Sequence, residues 1–137
     1  MNDDQIRNLL KTAKNIAVVG LSADPGKASY GVARYLRDQG YRIIPVNPTI
    51  EAWLGEKAYP NLDSVPEPID VVDVFRPSKA VPEIVEAAIR VGAKAVWLQE
   101  GIVHAEATQR AESAGLTAVQ NRCMMKEHFR LVGAQFD

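Results

Sequence analysis

The sequence predicts a three-layer, doubly wound α/β fold built on a parallel sheet of about five strands. One observation is a set of short, continuous apolar runs, such as residues 16–19, which are typical of strands buried on both faces of a parallel sheet. A second observation is that amphipathic segments with helical spacing separate these runs. Because strands and helices alternate at this spacing, right-handed βαβ crossovers are expected.

The individual elements follow from the same patterns and from the residues that end them. Glycines at positions 40, 92 and 115 stand where three of the amphipathic segments stop, as is common after the last turn of a helix. Ser78 is the expected N-cap of one of these helices. Strands are predicted at 16–20, 41–46, 69–75, 93–98 and 116–120, and helices at 3–14, 28–39, 78–91, 105–114 and 123–132.

Residues 47–68 are expected to be irregular. Five prolines fall between Pro45 and Pro68, and proline lacks the N–H group that a sheet needs. Only a short strand or turn at 53–59 and a short helical piece at 62–65 are predicted there.

Composition limits the functions that the chain can have. Its 137 residues are expected to form a single domain, 1–137, and a net charge of -1 gives no global attraction to nucleic acid or anionic lipid. The single cysteine, Cys123, excludes an internal disulfide, and with two histidines it cannot form an ordinary structural zinc site. A polar N-terminus and the lack of a long apolar run predict a cytoplasmic protein that does not cross a membrane.

Ligands of open parallel sheets bind outside the carboxyl ends of the strands, so the residues that follow each predicted strand are the candidate site. These positions supply small residues, amides and cations, which suit a ligand that carries phosphate. The candidates are Gly20, Ser22, Lys27, Asn47, Pro48, Phe75, Arg76, Gln99, Gly101, Ile102, Asn121 and Arg122.

The first of these loops does not match the common nucleotide motifs. It has the form G-x-S-x-x-x-G, with Ser22 where the dinucleotide fingerprint has its second glycine, and the second strand ends in Asn47-Pro48 rather than in an acidic residue. No G-x-x-x-x-G-K-[ST] sequence occurs. A routine NAD site and a P-loop are therefore disfavoured.

Several segments in register resemble a known family. The segments AVVGLSADPGKASYGVARYL, GYRIIPVNP, VDVFRPSKAVPEIV, AVWLQEGI and QNRC are similar, in that order, to the stand-alone CoA-binding proteins. These in turn are similar to the nucleotide-binding domain of the succinyl-CoA synthetase α subunit. The resemblance covers about residues 5–130 and implies a Rossmann-like fold that binds coenzyme A or an acyl-CoA.

The resemblance also implies roles for the candidate residues. The loop that holds Gly20, Ser22 and Lys27 would meet the CoA phosphates. Asn47-Pro48 and Phe75-Arg76 would border the nucleotide. The segment 99–102 resembles a T-E-G-I turn of the synthetase, and Asn121 and Cys123 would lie near the pantetheine arm. The second domain that carries the phosphorylated histidine of the synthetase has no counterpart in this sequence, so ligase chemistry is not implied.

The residues leave two other functions open, and neither a physiological role nor a protein partner is indicated. One is an NAD(H)-binding sensor, and the other is a CoA-dependent transferase or thioesterase that uses Glu100 or Cys123. Binding without catalysis is preferred, because no catalytic set can be assembled. Glu100 is expected to pair with Arg76 or Arg122.

Four further side chains are expected to have structural roles. His104 is expected to cap a helix or to lie at the surface, and Cys123 to be a small buried side chain. Asp70 and Asp73 are expected on opposite faces of one strand and not as a catalytic pair.

Overall fold

Seven strands form two sheets in this computed structural model, which describes residues 1–134. Five of them pair in parallel in the order β2-β1-β5-β6-β7, and β3 and β4 form a separate antiparallel hairpin. The strands are β1 (Asn15–Val19), β2 (Arg42–Val46), β3 (Ala52–Trp53), β4 (Glu56–Lys57), β5 (Val71–Val74), β6 (Ala95–Leu98) and β7 (Thr117–Val119).

Helices cover both faces of the large sheet, as the predicted three-layer fold requires. They are α1 (Asp3–Thr12), α2 (Ala28–Asp38), α3 (Val81–Arg90), α4 (Ala105–Ser113) and α5 (Met124–Leu131). One buried cluster joins α1, α2 and α5 to one face of the sheet, and a second joins α3 and α4 to the other. Because the strands are covered on both sides, β5 and β6 are buried along their whole length.

The predicted elements are found with small shifts at their ends, and one predicted cap is wrong. Ser78 does not cap α3, because residues Ser78–Ala80 form a short 3-10 turn and the α-helix begins only at Val81. The hydroxyl of Ser78 instead accepts a hydrogen bond from the backbone N–H of Val103 at 3.2 Å. The hydroxyl therefore joins the start of this segment to the loop after β6.

The short strand or turn expected at 53–59 is the β3–β4 hairpin. Leu54 and Gly55 occupy its turn with φ angles of +45° and +82°. Trp53 is 2% exposed and packs edge-on against the ring of Tyr30, with 5.7 Å between the ring centroids. The hairpin thus covers one end of α2.

The strand order locates the topological switch point. From β1 the chain moves to β2 on one side, and then returns past β1 to β5, β6 and β7 on the other. Loops that leave β1 and β5 therefore diverge to opposite sides of the sheet, and a crevice opens between them at their carboxyl ends.

Candidate functional site

Two backbone segments meet very closely at the switch point. Gly20 follows β1 with a φ of +88°, and a Cβ built on it would lie 2.8 Å from the carbonyl oxygen of Phe75 and 3.1 Å from Cδ of Arg76. Both the φ angle and the space therefore require glycine here. Gly20 also donates its N–H to the carbonyl of Val46 at 2.8 Å, so it joins the ends of three neighbouring strands.

The loop between β1 and α2 is held by its own short-range hydrogen bonds. The hydroxyl of Ser29 accepts from Ser22 N at 3.0 Å, and that of Ser22 accepts from Asp24 N at 3.0 Å. The Asp24 carboxylate in turn accepts from Gly26 N at 2.9 Å. Lys27 is the exposed residue before α2, and it forms no ion pair with the rest of residues 1–134. A rigid turn thus presents an unpaired cation at a helix N-terminus.

A cleft of about 630 Å³ opens on the α2 and α5 side of the sheet edge, and we call it the α5-side cleft. Its walls are mostly apolar. The predicted residues Phe75, Arg76, Gln99 and Ile102 line it, together with Ala28, Val32, Pro77, Glu100, Cys123, Met125 and Lys126, which were not among the candidate site residues.

A second cleft, of about 320 Å³, opens on the opposite side of the sheet edge against α3, and we call it the α3-side cleft. The predicted residues Gly20, Asn47, Pro48 and Arg76 line it, and Leu62 and Ile84 are among its other walls. Arg76 lines both clefts. The two clefts therefore share Arg76, which follows β5 at the switch point.

Arg76 is available to a ligand. Its side chain is exposed and forms neither an ion pair nor a hydrogen bond within the described part of the chain. The expected partner, Glu100, instead pairs with Lys126, whose Nζ lies 2.8 Å from a carboxylate oxygen. The predicted pairing of Glu100 with Arg76 or Arg122 is therefore wrong, because α5 brings Lys126 over the end of β6.

The side chain of Asn47 forms hydrogen bonds with two loops beside the α3-side cleft. Its Nδ2 donates to the carbonyl of Leu21 at 3.0 Å, and its Oδ1 accepts from the backbone N–H and the hydroxyl of Thr49 at 2.9 and 2.7 Å. The side chain thus fixes the loop after β1 against the loop after β2.

Gly101, Asn121 and Arg122 lie outside the two clefts. Asn121, with a φ of +59°, accepts a hydrogen bond from Gly101 N through its side-chain oxygen at 2.8 Å. The carbonyl of Arg122 accepts from the indole N–H of Trp97 at 2.8 Å, while its guanidinium lies 3.5 Å from Glu127. These residues join the ends of β6 and β7, and the Arg122 cation is paired rather than free.

A buried carboxyl group is hydrogen-bonded to Gln99, which lines the α5-side cleft. Asp73, in β5, is fully buried, and its Oδ1 accepts a hydrogen bond from Nε2 of Gln99 at 2.6 Å. Burial raises the pKa of Asp73 to about 7, although the hydrogen bond from Gln99 lowers it in part. The link to Gln99 was missed by sequence reasoning. The signal was an acidic residue inside the apolar run 71–74.

The expectations that His104 caps a helix and that Cys123 is buried are confirmed. Nδ1 of His104 accepts from Ala107 N at 3.1 Å, so His104 caps α4. Asp70, which directly precedes β5, accepts hydrogen bonds from the backbone N–H groups of Lys14 and Asn15. Cys123 is a free, buried cysteine that contributes to the wall of the α5-side cleft.

Two kinds of feature are missing from residues 1–134, a metal-binding cluster and a membrane-spanning helix. No cluster of three or more histidine, cysteine, aspartate or glutamate side chains is arranged to hold a metal ion in this range. None of the helices described is long and apolar enough to cross a membrane.

Comparison with known proteins places this chain in a family. Residues 14–129 match the family described as CoA binding domain. The chain belongs to the CoA-binding domain family. Its fold is Rossmann-like, and YneT of Bacillus subtilis, an uncharacterized protein, is 41% identical over 124 residues, which cover 90% of this chain and 92% of YneT.

A solved structure and a larger enzyme show the same relationship. The structure of a hypothetical protein from Pyrococcus horikoshii superposes with a TM-score of 0.94 at 46% identity, covering 97% of this chain and 94% of that one. ADP-forming acetate–CoA ligase II of Archaeoglobus fulgidus is 32% identical over 83 residues, which are 59% of this chain and 12% of the ligase. The chain is thus related to one part of these ligases and spans only a small share of their length.

Proposed function

We propose that this protein binds coenzyme A or an acyl-CoA across the carboxyl edge of its parallel sheet, without catalysing a reaction of the ligand. The single observation that carries the proposal is that two clefts share the unpaired cation Arg76 in a chain of the CoA-binding domain family. CoA has a compact nucleotide half and a long, largely aliphatic arm, joined by a diphosphate. A site with two compartments and a cation between them suits this shape and charge.

The proposed placement follows from the chemistry of each compartment. The nucleoside would occupy the α3-side cleft, next to Asn47 and Pro48. The diphosphate would lie near Gly20, Arg76 and the amides at the start of α2, where Lys27 adds a second positive charge. The arm would enter the α5-side cleft, whose apolar walls suit its methylene groups. The thiol would then lie toward Cys123.

The first test is thermal unfolding with CoA, acetyl-CoA, NADH and ATP, each against buffer alone. A ligand that binds only the folded state at about one hundred times its Kd adds about 2.7 kcal/mol to the free energy of unfolding. For a domain of this size the midpoint would rise by on the order of 10 °C. A selective rise with CoA and acetyl-CoA supports the proposal. A rise with NADH alone refutes it in favour of a dinucleotide sensor.

The second test uses variants. Arg76→Ala is expected to weaken CoA binding about tenfold, which corresponds to a charge-assisted hydrogen bond of about 1.5 kcal/mol. Arg37→Ala is the matched control, since Arg37 is an exposed arginine in the last turn of α2 and outside both clefts. Dephospho-CoA reports whether the contacted phosphate is the 3′-phosphate: the Arg76→Ala loss is then smaller with this analogue. Equal affinity of both variants for CoA contradicts the proposed position of the diphosphate.

The non-catalytic part of the proposal is tested with acetyl-CoA. Free thiol is expected to appear no faster than in buffer. Thiol release that disappears in Cys123→Ala or in Glu100→Ala would instead establish a thioesterase or transferase.

A further inference from the structure

A hydrogen bond inside the sheet holds the side chain of Gln99, a polar residue that lines the α5-side cleft. Asp73 is fully buried in β5, and one of its carboxylate oxygens accepts from Nε2 of Gln99 at 2.6 Å. The other oxygen, Oδ2, is buried and has no hydrogen-bond partner among the described residues. The hydrogen bond to Gln99 is thus the one polar contact that the Asp73 side chain makes within residues 1–134.

Gln99 has two different hydrogen-bonding ends, and Asp73 uses only one of them. Its amide nitrogen is held by the carboxyl group, whereas its amide oxygen, Oε1, receives no hydrogen bond from the described chain. That oxygen is also not among the polar side-chain atoms that are both buried and unpartnered. Since Gln99 lines the α5-side cleft, Oε1 is the amide atom that remains free to accept a hydrogen bond from a group in the cleft.

The acidic residue decides which end faces the ligand. Once ionised, at pH values above its pKa of about 7, the Asp73 carboxylate has no proton to donate, so it can hold only the NH₂ end of the neighbouring amide. An asparagine or a serine in its place would allow either end of Gln99 to turn inward. Val32, Phe75 and Met125 line the same cleft with apolar side chains. Among the described residues, its charged side chains, Arg76, Glu100 and Lys126, form no hydrogen bond with Gln99, and Glu100 and Lys126 pair with each other.

We propose that Asp73 is a positioning residue that orients the Gln99 amide, so that the α5-side cleft presents a hydrogen-bond acceptor to an amide N–H of the CoA arm. The inference rests on the proposed function, in which that arm occupies this cleft. The arm carries two secondary amides between its aliphatic groups. An amide N–H that enters an apolar cleft without an acceptor loses its hydrogen bond to water, so a fixed acceptor favours this ligand over a purely aliphatic chain.

The test measures the affinity of purified variants for two ligands by calorimetry. One ligand is CoA, and the other is adenosine 3′-phosphate 5′-diphosphate, which keeps the nucleotide half and lacks the arm. Gln99→Leu removes the acceptor and Asp73→Leu removes its anchor. Each is expected to weaken CoA about three- to tenfold, the range of one hydrogen bond, and to leave the affinity for the nucleotide half unchanged.

Two further variants separate positioning from a structural role. Asp73→Asn keeps an acceptor for Nε2 but also permits the flipped amide, so its affinity for CoA is expected to stay within about twofold of the wild type. The double variant of Gln99→Leu with Asp73→Leu is expected to bind CoA no more weakly than the weaker single variant, because both changes remove the same interaction.

The outcomes distinguish this inference from the function on which it rests. Wild-type protein that fails to bind CoA refutes the proposed function. Wild-type affinity for CoA in Gln99→Leu refutes the inference and leaves the function standing. Equal losses for CoA and for the nucleotide half also refute it, since they indicate a general distortion. If Asp73→Leu does not fold, Gln99→Leu still decides whether the acceptor contributes to CoA binding, and a loss of CoA affinity well beyond twofold in Asp73→Asn contradicts the positioning role.

Discussion

Replacing Asp73 by asparagine is expected to change how the stability of this protein depends on pH. The fold raises the pKa of this carboxyl group from 3.8 to about 7, because burial disfavours its charged form. The folded state therefore binds the proton more tightly than the unfolded state does. The stabilisation that results is fully present below pH 3.8 and is lost as the pH rises through 7.

The size of the effect follows from the shift in pKa. A difference of roughly three units corresponds to about 4 kcal/mol over the whole range, at about 1.4 kcal/mol per unit. Between pH 5 and pH 8, Asp73 alone is expected to lower the free energy of unfolding of the wild type by roughly 2 to 3 kcal/mol. Asparagine has almost the same shape and does not titrate, so the variant lacks this loss.

Urea denaturation of both proteins at pH 5, 6, 7 and 8 measures the difference. Subtracting the two curves removes the contributions of groups that titrate equally in both. The free energy of unfolding of the variant is expected to rise relative to the wild type with each step, most steeply between pH 5 and 7. Parallel curves would refute the reasoning, since they would mean that the Asp73 carboxyl titrates alike in the folded and unfolded states.

Two other perturbations test the fold around the site. Gly20→Ala is expected to lower the free energy of unfolding by about 2–4 kcal/mol, because its Cβ would lie 2.8 Å from a carbonyl oxygen at a φ of +88°. Gly55→Ala is the matched control with a φ of +82° and no atom within 4 Å, and it should lose only about 1–2 kcal/mol by urea denaturation. Equal losses would show that the close approach is unimportant. His128 is buried and hydrogen-bonded to the hydroxyl of Tyr35 at 2.9 Å, and burial lowers its pKa. Neutral His128 therefore stabilises the folded state above pH 6.5, and this contribution to the free energy of unfolding is lost as the pH falls. The thermal midpoint of His128→Gln should accordingly change less than that of the wild type between pH 7 and 5. The same slope in both proteins would contradict this.

Local sequence patterns were sufficient to predict the layers of the fold. Continuous apolar runs such as 71–74 are compatible with burial on both faces, and the amphipathic segments between them can bury only one side. The carboxyl-edge rule then brought Gly20, Asn47, Arg76 and Gln99 to one end of the sheet, where they line the clefts. The layers and the common sheet edge follow from the periodicity of apolar residues and from the direction of the chain, and both can be read from the sequence alone.

The partners of individual side chains could not be predicted in the same way. Glu100 was expected to pair with an arginine from another strand end, and it pairs with Lys126 because α5 packs over β6. The side chain of Asn121, a candidate to meet the ligand, accepts a hydrogen bond from Gly101 N, a partner that the sequence did not indicate. The first contact depends on how α5 packs beside the loop after β6, and the second on how that loop lies against the loop after β7. Both positions must be known to within about an ångström.

The sequence by itself determined the strand and helix order, the apolar faces and the sheet edge at which the candidate site residues gather. Only the tertiary structure decided that this edge holds two clefts that share Arg76, and that Asp73 lies beside Gln99. The physical reason is that periodicity fixes the side of an element on which a residue lies. Hydrogen bonds and cavities, in contrast, depend on distances between residues far apart in the chain, which are set when the helices pack on the sheet.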